Sequence, residues 1–120
     1  MPAYAIAHLR TVALGPEIFE YIARIDATLE PFGGRFLIHG GPVDAMDGNW
    51  SGDLVVIAFK DHETAHAWYA SPDYQAILRL RTDNSEGDAF IANGVPHGYQ
   101  AAHALAKLVP ASATSCDGSR

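Results

Sequence analysis

The chain changes its apolar period several times, and each change marks an element. Residues 3–10 alternate strictly: Tyr4, Ile6, His8 and Arg10 fall on one side, Ala3, Ala5, Ala7 and Leu9 on the other. That period of two predicts a half-buried strand. From Pro16 to residue 30 the spacing becomes three and four. Ile18, Ile22, Ile25 and Leu29 form an apolar stripe with Phe19 and Tyr21 at its flanks, which predicts an amphipathic helix started by Pro16 and favoured by Glu17 at its positive end. Pro31 ends it, and Gly33-Gly34 supply the left-handed backbone of a tight connection. Residues 35–39, RFLIH, read as a second strand and residues 53–60, DLVVIAFK, as a third, the most apolar and so central. The polar loop 42–52 joins them, with Asp47-Gly48 near its tip. Asp61 caps a short helix over 61–70. Ser71-Pro72 interrupts it, because a proline drives the preceding residue out of α geometry, and a new helix runs over 72–83 with Ile77 and Leu80 inward. Residues 87–93 give a fourth strand ending at Gly94. The remainder, 95–120, carries one short helix at 99–109 and reads as disordered after Pro110.

The order β-α-β-β-α-β predicts an α+β, ferredoxin-like fold: a four-stranded antiparallel sheet with both helices on one face. The expected division is a domain over 1–95 and an extension over 96–120. A single helical layer leaves the other face open. Alternation places Tyr4, Ile6 and His8 there with Arg35, Leu37 and His39, a set too mixed for water and too polar for a dry core. Packing two such faces across a two-fold axis gives a homodimer, a dimeric α/β barrel, whose interior His8, Arg35 and His39 would line together.

Charge and cysteine narrow the function classes. With 8 basic and 14 acidic residues the net charge is −6, and no basic block offsets it, which disfavours nucleic acid and anionic membranes as partners. Cys116 is the single cysteine and cannot form an internal disulfide, which points to a reducing compartment. MPAYAIAHLR does not have the form of a signal peptide, and no apolar run approaches a membrane span, so a cytoplasmic location is expected. There is no P-loop, Rossmann fingerprint, cysteine-based metal motif or GxSxG elbow.

Several stretches resemble the DUF1330 family of the dimeric α/β-barrel superfamily: AYAIA at 3–7, GGRFLIHGG at 33–41, DG at 47–48, VVIAF at 55–59, AWYASPDYQ at 67–75, Arg81, and NGV at 93–95. Together they span residues 3–95. The resemblance implies a ferredoxin-like dimer. It implies no particular chemistry, because the wider superfamily includes cofactor-free monooxygenases, isomerases, cyclases and haem enzymes, and a fold does not carry a reaction. His39 stands where the family commonly has arginine or another basic residue, and Asp47 where it commonly has glutamate.

The candidate chemistry rests on a few side chains. His8 and His39 are candidate acid/base groups and Arg35 a candidate anion holder, against the alternative of a hydrated, inactive dimer interior. Arg35 has a further alternative, an ion pair with Asp47 or Asp53. Trp68, Tyr69 and Tyr74 are either core and interface packing or the wall of a pocket for a planar ligand, and both hold if the pocket opens at the dimer seam. Tyr4, Ser71 and Arg81 join the ligand-binding candidates, with Asp47 and Trp50 if the 40–53 loop acts as a lid; the reading favoured for that loop is an ordinary surface hairpin loop. His62 and His66 have the spacing of two metal ligands on a helix, but two histidines do not make a site, and a solvated face is expected. No metal or cofactor is expected, and no histidine has a haem-ligand setting. The leading expectation is a homodimer that binds a small planar or carboxylated metabolite, with isomerisation, cyclisation or oxygenation as its cofactor-independent chemistry if it is an enzyme. The alternatives are a noncatalytic ligand-binding or stress-response module, and a structural dimer that docks a partner protein through its tail.

Overall fold

A computed structural model describes residues 1–108 of the 120-residue chain. The expected order is present: β1 (Ala3–Val12), α1 (Pro16–Leu29), β2 (Arg35–His39), β3 (Asp53–Phe59), α2 (His62–Ala70), α3 (Pro72–Thr82) and β4 (Ser85–Asn93). The expectation for the tail is met only in part. A 3₁₀ turn over Ala101–Ala104 runs into a single α-turn, α4 (Leu105–Leu108). The expected disorder after Pro110 and Cys116 lie outside the described residues.

The four strands form one antiparallel sheet in the order β2-β3-β1-β4. This is the ferredoxin-like topology, with α2 and α3 together taking the place of the second helix. The core joins the helix-facing residues of the central strands, Ala3, Ile57 and Phe59, to Ile25 and Leu29 of α1, Ala65 and Trp68 of α2, and Tyr74 and Ile77 of α3.

The AWYASPDYQ stretch works as a two-sided helix joint. Ser71 has φ −64° and ψ 146°, the extended geometry its following proline requires. Its Oγ donates to the Trp68 carbonyl at the end of α2 (2.7 Å) and accepts from the Tyr74 N–H at the start of α3 (3.3 Å). One hydroxyl thus satisfies orphan groups of two helix ends. The break lets Trp68 and Tyr74, on different helices, meet with ring centroids 4.2 Å apart. Asp61 caps α2 as expected, its Oδ1 accepting from the Thr64 N–H at 2.8 Å. That hydrogen bond holds the exposed carboxyl below its usual pKa.

The two glycines after α1 have separate causes. Gly33 takes φ 67°, the left-handed conformation expected of it. Gly34 is needed for space, because a Cβ there would stand 2.7 Å from both Leu29 Cδ2 and Phe59 Cε1.

Strict alternation fails in β2. Arg35 pairs with Ala58 and Phe36 with Ile57, but Ile38 pairs with Val56 and His39 with Val55, so Leu37 is an extra residue in the ladder. This β-bulge reverses the facing of everything beyond it. Ile38 takes the open face with Arg35, and His39 turns to the helix side, where its ring stacks on Phe36 with centroids 4.6 Å apart.

Candidate functional site

The helix side of the sheet carries an open cavity of about 600 Å³. Its origin is a size mismatch between layers. The floor carries Ala5 and Ala7 of β1 and Ala89 of β4, flanked by Val55, Ile57 and Ile91. Residues this small do not fill the space beneath a helix. At its C-terminal end α1 seals the core through Ile25 and Leu29, whereas further back Ile22 is 45% exposed and faces the void. The volume lies in the range of small-molecule sites, and the lining is mostly apolar, as such sites are.

A small number of polar groups converge on this void. At the α1–α3 junction, Tyr21 and Tyr74 place their phenol oxygens 2.7 Å apart. Arg81, one helical turn beyond Ile77 on α3, lies beside both phenols and lines the cavity. Burial, reinforced by the neighbouring Tyr74, pushes the Tyr21 hydroxyl far above the ordinary phenol pKa. Burial works against the charged form of Arg81, but the Tyr74 and Tyr21 oxygens outweigh it and raise its pKa. The cluster therefore sets a Tyr21 phenol that keeps its proton, with Tyr74 beside it, against a guanidinium that keeps its charge. Elsewhere in the lining stand His39, carried inward by the β2 bulge, Asp53 at the start of β3, and Tyr69 and His66 from α2.

This arrangement corrects the sequence-based grouping of His8, Arg35 and His39. His39 lies on the opposite face of the sheet from the other two, because the bulge at Leu37 inverts it. His8 and Arg35 share the open face but are not neighbours. Arg35 is level with Tyr4 through Ala58, and His8 is four residues further along β1 with β3 intervening. That puts their backbones roughly 16 Å apart, from about 13 Å along the strands and about 10 Å across them. His8 is occupied locally: its Nε2 lies 2.8 Å from the Ser51 carbonyl, and the Trp50 ring stacks on it at 4.3 Å. Arg35 forms no ion pair among the described residues, with Asp47 and Asp53 included.

The remaining candidates separate into wall, scaffold and open face. Tyr69, Tyr74 and Trp68 line the cavity, and Trp68 and Tyr74 are also buried core. Trp68 donates its indole N–H to Thr28 Oγ1 at 3.0 Å, and Thr28 donates to the Ile25 carbonyl at 2.7 Å. Ser71 acts in the helix joint and does not line the cavity. Tyr4 and Trp50 belong to the open side, and Asp47 is exposed in the loop; none of the three lines the cavity. The 40–53 loop therefore does not lie over this cavity as a lid, although Gly40 and Asp53 at its ends touch the lining. His62 lies 2.8 Å from Asn93 Oδ1 through Nδ1, with the His66 ring at 4.4 Å. Among the described residues no group of three or more His, Cys, Asp or Glu side chains converges to hold a metal ion.

The sequence reading missed Tyr21, Asp53 and His66 as cavity groups. Tyr21 was legible: it lies three residues from Ile18 and four from Ile25, on the stripe the helix buries. Asp53 and His66 offered no local signal, since only the gap between α1 and the sheet brings them to one space.

The model of a domain of unknown function, DUF1330, matches residues 2–95. The chain belongs to the DUF1330 family. A dimeric ferredoxin-like protein of unknown function from Jannaschia sp. CCS1 is similar to it in structure, with TM-score 0.60 and 12% identity over 78% of this chain and 100% of that one. A second such protein, from Thermobifida fusca, gives TM-score 0.53 and 17% identity over 78% and 92% of the two chains. RPA0582, a protein of unknown function from Rhodopseudomonas palustris, gives 0.57 and 12% over 79% and 83%. At these identities the likeness shows a shared fold and nothing finer. No curated protein matches the chain significantly. No helix among the described residues is long and apolar enough to cross a membrane.

Proposed function

We propose that this family member binds a small, largely apolar metabolite between its sheet and its helices, as one half of a homodimer. The observation that carries this reading is the cavity itself: about 600 Å³, floored by three alanines and entered by few polar groups. Clefts of this size with a mostly apolar lining are the usual form of small-molecule sites. The dimer is supported by the open sheet face, where Phe90 is 51% and Ile38 40% exposed, and by the dimeric ferredoxin-like proteins of the same fold. Two imidazoles, His39 and His66, and the Asp53 carboxylate stand in the lining as candidate acid/base groups. Turnover, on this reading, is cofactor-independent proton transfer with His39 as acid/base.

Native mass spectrometry of freshly purified protein, compared with the denatured sample, tests both parts. A dimer that carries an additional mass, lost on denaturation and absent from Ala7→Phe, is the expected result. The phenylalanine projects from the middle of the floor into the space a ligand would occupy, without removing any core side chain. A monomer refutes the dimer. Retention of the same mass by a folded Ala7→Phe protein refutes the cavity as the binding site.

A further inference from the structure

We propose that Arg81, Tyr21 and Tyr74 form the anchor for the carboxylate of a planar, apolar monocarboxylic acid, an assignment that rests on the cavity reading above and names its ligand class. Donors outnumber acceptors at this cluster. A guanidinium has five N–H donors and no acceptor, and each phenol has one O–H. One phenol hydrogen is used in the 2.7 Å contact between Tyr21 and Tyr74, and Arg81 lies beside both phenols. That leaves the guanidinium N–H groups and one phenol O–H over. The ion pairs among the described residues are Arg10–Asp88, Arg24–Glu20 and Arg79–Asp83, so no carboxylate neutralises Arg81. The contrast within α3 is direct. Arg79, on the outer face with its side chain 82% exposed, has Asp83 as partner, while Arg81 turns into an apolar void and has none.

A cation in apolar surroundings is costly unless paired, so this arrangement favours a bound anion. Its geometry narrows the choice. A single fixed charge balances a monoanion and leaves half the charge of a phosphate dianion uncompensated. The planar fork of the guanidinium matches two carboxylate oxygens, and the phenols add O–H donors beside it. The alanine floor and the Tyr69 and Trp68 rings favour a flat body attached to that head group.

The test is calorimetric titration of the full-length protein with 2-naphthoate and with its neutral isostere 2-naphthamide, at fixed moderate salt. The wild type is expected to bind naphthoate at least about tenfold more tightly, the margin of a charge-assisted bidentate contact. Arg81→Gln is expected to bring naphthoate down to about the naphthamide affinity, with a much smaller loss for naphthamide, while Ala7→Phe loses both. Equal affinity of the two probes for the wild type overturns the anchor and leaves the cavity reading standing, and this comparison needs no variant to fold. An equal loss of both probes in a folded Arg81→Gln protein also overturns it. Failure of both probes to bind the wild type refutes the cavity reading and the anchor with it.

Discussion

Replacing Thr28 with valine isolates a single buried hydrogen bond. Thr28 is 5% exposed and Trp68 3%. The threonine hydroxyl accepts the indole N–H at 3.0 Å and passes its own hydrogen to the Ile25 carbonyl at 2.7 Å. Valine keeps the shape of threonine and removes the acceptor, so the main loss is an indole N–H left unsatisfied in the core, about 1–3 kcal/mol. The Ile25 carbonyl lies within the α1 ladder and contributes little to that loss. In urea, with an m-value of about 1–3 kcal/mol/M for a domain of this size, the midpoint should fall by roughly 1 M with m unchanged. Far-UV circular dichroism is the appropriate probe, at one protein concentration so that dimerisation does not move the midpoint. The decisive control is the double-mutant cycle with Trp68→Phe, which removes the donor. In that background Thr28→Val should cost little, giving a coupling of about 1–2 kcal/mol. The reasoning is refuted if Thr28→Val is as stable as the wild type, or if its cost is the same in both backgrounds.

Ser71→Ala removes the hydroxyl that serves two helix ends and should cost about 1–2 kcal/mol by urea denaturation; a cost below a few tenths would mean that water replaces both contacts. Gly34→Ala forces a methyl against Leu29 and Phe59 and should destabilise by about 1–3 kcal/mol, a loss that thermal unfolding would register. The raised Tyr21 pKa gives an alkaline signature: the folded state keeps a proton that the unfolded chain releases from its ordinary value of 10.0, so the contribution is complete below pH 10 and lost as pH rises above it. Stability measured from pH 9 to 11 should fall more steeply for the wild type than for Tyr21→Phe, and equal slopes would contradict the buried phenol pair.

Local features of the chain carried most of the fold. Alternation in residues 3–10, the 3–4 spacing from Pro16, the Ser71-Pro72 break and the Asp61 cap are set by backbone geometry and by neighbours within one turn, and each element forms where those signals place it. Tyr21 belonged to the same class, since its place on the buried stripe follows from helix period alone.

The site depended on information that period does not contain. His39 was assigned to the wrong face because a bulge adds one residue to the register, and whether β2 bulges at Leu37 depends on its pairing with β3. His8 and Arg35 were rightly placed on one face and wrongly placed together, because strand order β2-β3-β1 separates them. The cavity, and with it the meeting of Arg81 with two phenols from two helices, exists only because α1 stands off a floor of alanines. By itself the sequence determined which residues become strands, helices and caps, because those are short-range consequences of sterics and hydrogen bonding. Which side chains share a space was decided only by the tertiary structure, because a one-residue shift in pairing or a small gap between layers reverses the answer without altering any local preference.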